Sequence, residues 1–229
     1  FFEAYSRQYD FNYRIEHSSK ISASAMVLNN KRALVLNENY LFSEHELNVL
    51  NNHEIGVHMV TTMNGLEHPL KIFSHGFPNY EETQEGLAVF AEYMSNNLTV
   101  TRLKELAYRV IAVDSLAKGY DFSKTFRLLH NQFDLERKQA FYISLRVHRG
   151  GGFTKDYLYL TGLKKIYDRY KRGEDLSPLL TGKVSLEYLD VIQTLTDKGL
   201  AMPSRFITDA YASNSNRDET VDFILNNLK

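Results

Sequence analysis

"LNNHEIGVHMVTTMNG", residues 50–65, contains His53, Glu54 and His58, nearly the H-E-x-x-H pattern of zinc peptidases but one residue too long. An α-helix turns by about 100° per residue, so side chains at i and i+4 lie roughly 40° apart and can share one metal ion. His53 and His58 stand at i and i+5, about 140° apart on a regular helix, where they could not. A π-type bulge absorbs the additional residue and returns both imidazoles to one face, and such bulges are favoured at functional sites. Gly56 lies between the two histidines. Glycine accepts local backbone distortion at little steric cost, yet in a helix it costs about 1 kcal/mol relative to alanine, so its presence there wants a reason. The bland alternative is two histidines and a glutamate brought together by chance. A further donor is needed to decide.

Glu85, in "TQEGLAVFAEYM" (residues 83–94), is that donor. Catalytic zinc sites take three protein ligands and keep a fourth position open. The loop after the first helix is long enough for a second helix to run back beside it and present Glu85 to the histidines. Glu92 shares the face of Glu85 two turns on and suits a hydrogen bond to a histidine N–H. Glu81 and Glu82 are rival ligands that precede the expected helix, and a first-turn glutamate also has the simpler role of favouring the helix dipole. Two imidazoles and one carboxylate suit zinc, with manganese and iron as alternatives.

Outward from this stretch, Ser43 and Glu46 form an S-x-x-E capping box that starts the helix, and Asn64-Gly65 is expected to close it. Before it, "FNYRIEH" alternates like a strand, and "AMVLNNKRALVLN" reads as two strands about the turn 29–32, so the first forty residues are expected to be β-rich. After it, "LEHPLKIFSHGFPNY" reads as a connecting loop. Helical periodicity returns in "TVTRLKELAYRVIAVDSLAKG", which Gly119 stops, then over residues 123–132 and 134–147, and in "KDYLYLTGLKKIYDRYKRG". The expected fold class is α+β, mostly α-helical: one domain over residues 1–229, with a β-rich element at 1–42 and a helical body at 43–229. A chain opening at Phe1 without methionine is compatible with a fragment of a longer one.

Of 229 residues, 43% are hydrophobic, and 14 Phe and 15 Tyr supply ample apolar mass for a core. The net charge of −1 gives no electrostatic case for nucleic acid or an anionic membrane as partner. With no cysteine, disulfides, thiolate metal sites and cysteine nucleophiles are excluded, and a reducing, cytoplasmic location is expected. No apolar run approaches the length of a membrane span.

"HEIGVH", "TQEGLA", "RVIAVD" and "RGGGFTKDYLYL" together resemble the bacterial QEGLA-motif proteins, some labelled modulators of flavohaemoglobin expression, and their eukaryotic relatives, the microtubule-associated tyrosine carboxypeptidases. The resemblance runs from about residue 11 to 182. It implies a zincin-like metallopeptidase with one Zn2+ per chain, held by His53, His58 and Glu85, with Glu54 as the catalytic glutamate and Glu92 supporting a ligand. It implies a carboxypeptidase that releases a C-terminal, tyrosine-like residue from a protein or peptide tail. For such an enzyme the glycine-rich loop would receive the terminal carboxylate. Gly151 and its neighbours would offer amides, Arg149 and Lys155 positive charge, Thr154 a helix N-cap, and Tyr157 or Tyr159 a hydrogen bond to the tetrahedral oxyanion. Of His45, His68, His75 and His148, most are expected to be solvated or packing residues, with His75 and His148 adjoining the suspected cleft. The alternative from another class is a non-catalytic regulatory protein that keeps the fold, for instance modulating flavohaemoglobin expression.

Overall fold

A computed structural model describes residues 2–21, 23–150, 154–212 and 218–228. The chain divides into two compact units, Phe1–Leu98 with Gly162–Lys229, and Thr99–Thr161.

The first unit opens with α1 (Phe2–Gln8), then β1 (Arg14–Ser18), β2 (Ala25–Leu28) and β3 (Ala33–Asn37). The sheet order is β1-β3-β2. β2 and β3 make the expected antiparallel hairpin, with Met26 opposite Val35, while β1 runs parallel to β3, with Ile15 opposite Leu34. Ala33 to Leu36 are all buried in this central strand, which explains an unbroken apolar run rather than an alternating one. The strand reading fails over residues 2–8, which are helical. Phe2 packs into one core with Phe11, Leu34, Ile55 and Met59, and so short a segment carries too few apolar positions to separate the two periodicities.

Ser43 caps α2 (Glu44–Leu50): its Oγ accepts from the Glu46 amide at 3.3 Å, and the Glu46 carboxylate accepts from the Ser43 amide at 2.8 Å. The helix then continues without a break through a π-helical stretch, Asn51–Met59, into α3 (Val60–Glu67). Gly65 does not close it. A Cβ there would lie 2.5 Å from the carbonyl oxygen of Phe73, so glycine is required where α4 (Ile72–His75), a single turn within the expected loop, crosses the helix. α5 (Tyr80–Met94) starts earlier than its periodicity indicates, which places Glu81 and Glu82 in its first turn.

The second unit consists of α6 (Val100–Ala117), α7 (Phe122–Arg127) with a following π-helical turn at Leu128–Gln132, and α8 (Arg137–His148). Gly119 ends α6 with a φ of +79°. Leu129, Leu135, Ala140, Ile143 and Val147 pack on Ala112 as its core. α9 (Leu158–Lys171) starts four residues beyond Thr154, the expected N-cap. The Thr154 hydroxyl donates instead to Asp156, at 2.9 Å.

From Gly162 onward α9 belongs to the first unit, where α10 (Leu189–Asp197), α11 (Asp209–Ala212) and α12 (Glu219–Asn227) follow. A Cβ on Gly86 would sit 2.4 Å from the carbonyl carbon of Gly162, and one on Gly162 would sit 2.2 Å from the Glu82 carbonyl oxygen. The glycine of "QEGLA" is therefore where α5 and α9 touch backbone to backbone. No helix among the described residues is long and apolar enough to cross a membrane.

Gly86→Ala is expected to lower stability by about 1–3 kcal/mol through overpacking. Gly119→Asn, at a left-handed position with nothing within 4 Å, should change it by less than about 1 kcal/mol because asparagine tolerates that conformation. Urea unfolding of the two variants checks the contrast.

Candidate metal centre

The additional residue between the histidines is absorbed as π-helix. The Val60 N–H reaches Ile55 O, five residues back, where a regular α-helix would have used Gly56 O. The Gly56 carbonyl, released from that role, accepts from the buried Thr208 hydroxyl at 3.2 Å. With the helix wound this way, the His53 and His58 rings lie 5.1 Å apart at an interplanar angle of 77°. Their Nε2 atoms are 3.7 Å and 3.5 Å from one oxygen of Glu85, in the second turn of α5. His53, His58 and Glu85 each offer one ligand atom, and these atoms all lie within 4.8 Å of one another.

This donor set fits a divalent transition metal. Tetrahedral coordination with bonds of about 2.0–2.1 Å separates neighbouring donors by roughly 3.4 Å, close to the spacing between the imidazoles and the carboxylate. Glu92 accounts for the tautomer. Its fully buried carboxylate lies 2.8 Å from Nδ1 of His53, so Nδ1 carries the proton in a neutral imidazole and the Nε2 lone pair faces Glu85 and His58. Glu54 is half-buried on the same stretch, and its charge acts on both His53 and Lys183.

Lys183 is 2% exposed. Its ammonium donates to His58 O at 2.9 Å, Thr61 Oγ1 at 2.9 Å and Gln84 Oε1 at 3.2 Å, which uses all three of its protons. Burial drives its pKa down to about 7, against the opposing pull of Glu85 and Glu54. At His53 burial also acts downward, but hydrogen bonds to Glu85 and Glu92, with the charges of Glu92 and Glu54, overcome it and raise the imidazole to about 10.

Nothing in the sequence singled out Lys183, Thr61 or Thr208. Lys183 and Thr208 meet the helix that carries His53 and His58 only through the fold. Gln84 belongs to the "QEGLA" motif, and a polar residue between Glu85 and Thr83 on a wholly buried stretch had no signal in the sequence beyond that motif. Of the residues expected to bind substrate, Arg149, Thr154, Lys155 and Tyr157 all belong to the second unit, and Gly151 lies outside the described residues. Arg149 ends α8, and Tyr157 is exposed. Among the other histidines, His45 is exposed, His68 stacks on Phe73 with centroids 4.0 Å apart, the His75 ring bonds to the Lys71 carbonyl at 2.8 Å, and the His148 ring bonds to the Thr125 hydroxyl at 2.9 Å.

A family model described as microtubule-associated tyrosine carboxypeptidase matches residues 1–229. The chain belongs to this family. No curated protein matches it individually. In this member of the tyrosine carboxypeptidase family, "HEIGVH" and "TQEGLA", two of the four stretches that carry the resemblance, supply the clustered donors.

Metal uptake should be proton-linked. His53, raised from its ordinary 6.5 to about 10, carries a proton at neutral pH in the metal-free protein and must give it up to the metal. Affinity for a divalent ion is therefore expected to rise about tenfold per pH unit between pH 6 and 8, as read by chelator competition. The same raised pKa stabilises the metal-free fold fully below pH 6.5, and that contribution is lost as the pH rises through about 10. Glu92→Gln should weaken metal affinity by about 10- to 100-fold.

Proposed function

We propose that the chain is a zinc-dependent carboxypeptidase with a zincin-like catalytic site. It would remove a C-terminal residue, tyrosine-like by analogy with the family's description, from a protein or peptide tail. The observation that carries this reading is the convergence of His53, His58 and Glu85 with a glutamate, Glu54, directly after the first of them. Zinc, held by His53 Nε2, His58 Nε2 and Glu85, would lower the pKa of a water molecule to about 7 and polarise the scissile carbonyl.

Glu54 takes the proton of the attacking water as the new C–O bond forms. It then returns that proton to the leaving amine as the C–N bond breaks, so the carboxylate ends the cycle ionised. Glu92 keeps the His53 imidazole in one tautomer and orientation throughout. The Lys183 ammonium pins the His58 carbonyl and so holds the second imidazole in register with the first.

A purely regulatory protein would have no use for Glu54, whereas binding a metal needs only the other three. Metal content and cleavage of a C-terminal peptide library, measured together on wild type and Glu54→Gln, test the reading. The expected result is one zinc per chain in both and release of a terminal residue by the wild type alone, with Glu54→Gln reduced at least about 100-fold. Zinc in both with no cleavage by either protein would overturn the enzymatic reading.

A further inference from the structure

Within the second unit, α6 and α8 form an open cavity of about 320 Å³, lined on one side by Glu105 and Arg109 and on the other by Glu136, Lys138, Tyr142 and Arg146. Arg102, Glu105 and Arg109 stand on one face of α6, and Lys138, Tyr142 and Arg146 succeed one another at i+4 on α8, so the cavity is built from helical positions rather than loops. Asp156, 5% exposed, braces both arginines. It accepts a close hydrogen bond from Arg146 Nε and lies 3.7 Å from a terminal nitrogen of Arg109.

The donors left over are what make this a site. Arg146 uses only its Nε on Asp156, and its two terminal amino groups make no hydrogen bond among the described residues. Arg109, only 9% exposed, gives one terminal nitrogen to Glu105, while its buried Nε–H has no partner there. An unsatisfied buried donor costs about 1–3 kcal/mol. Three cations, Arg109, Lys138 and Arg146, line the cavity beside two carboxylates, Glu105 and Glu136, with Asp156 bonded behind the arginines. The Glu136 carboxylate accepts from the Gln139 amide at the start of α8. Burial lowers the pKa of Arg109, and the charges of Arg146 and Arg102 add to that despite Glu105 and Asp156. A bound negative charge would relieve both the repulsion and the missing hydrogen bonds.

We propose that this cavity binds a small oxyanion, a carboxylate or a phosphate, on the free terminal nitrogens of Arg146 beside the Arg109 guanidinium, with Lys138 at the rim. Its volume is near the lower end of small-molecule sites, sufficient for one amino-acid-sized group. The Tyr142 ring and Ile143 give that group an apolar wall.

Calorimetric titration of the full, zinc-loaded chain with inorganic phosphate, with N-acetyltyrosine, and with N-acetyltyrosine amide tests the proposal. Saturable binding of phosphate or of the free carboxylate, and none of the amide, is expected. Phosphate alone identifies a phosphate site, N-acetyltyrosine alone identifies a carboxylate site, and both together a general oxyanion site. Arg146→Gln should weaken binding about tenfold or more. Lys138→Gln, at an exposed position whose substitution leaves the core untouched, should weaken it about twofold to fivefold. Circular dichroism identifies any Arg146 variant that loses its fold, and the Lys138 variant then decides. No saturable heat up to about 20 mM ligand, or binding unchanged in a folded Arg146→Gln or in Lys138→Gln, would overturn the proposal.

Discussion

The spacing of five between His53 and His58 is the constraint on which the rest of the candidate metal centre depends. A regular helix cannot bring the two rings onto one face, and a π-helix forgoes the i→i−4 bonds that a backbone makes most readily. The protein stabilises the unusual winding from outside. Ile55, Val57 and Met59 are fully buried, so the stretch is clamped by apolar contacts along its length. Where the bonding pattern switches back to α, the Thr208 hydroxyl and the Lys183 ammonium serve the Gly56 and His58 carbonyls. The Asn64 side chain, one turn on, donates to the carbonyls of Leu180 and Phe206 and accepts from the Phe206 amide. The segment from residue 180 to 208 thus serves as a splint for a helix far earlier in the chain.

The same contacts set the electrostatics. Glu85 and Glu92 are both buried, and each faces His53, while the buried Lys183 amino group bonds to the His58 carbonyl of the same helix. Without a metal, the His53 imidazolium and the Lys183 amino group, whose pKa burial lowers to about 7, stand beside Glu54, Glu85 and Glu92. A divalent ion would replace the His53 proton and supply the missing charge.

The cluster of His53, His58 and Glu85 was legible because metal chemistry restricts the spacing of such groups. Two histidines with a glycine between them, and a glutamate at the head of the next helix, make a pattern that few other roles explain. The capping box at Ser43 and the hairpin of β2 and β3 were legible for the same reason: each is a local hydrogen-bonded unit. Legibility failed where tertiary contact overrides a local signal. Gly65 reads as a helix stop but is a contact point with α4. Gly86 carries no turn signature at all, and its reason is Gly162, which only the packing of α5 on α9 brings near. Residues 2–8 fold as helix because Phe2 has a core to enter, and Lys183 becomes part of the centre because its backbone pairs with Phe73 and Phe77.

X-ray absorption at the zinc edge of the zinc-loaded protein tests the central claim most directly, because it counts the ligands without requiring turnover. The account predicts a single class of zinc, with two imidazoles and one carboxylate oxygen at about 2.0–2.1 Å and a further light-atom donor. A spectrum with one imidazole or none would mean that the π-helical stretch does not bring His53 and His58 to a common ion, and would contradict the account.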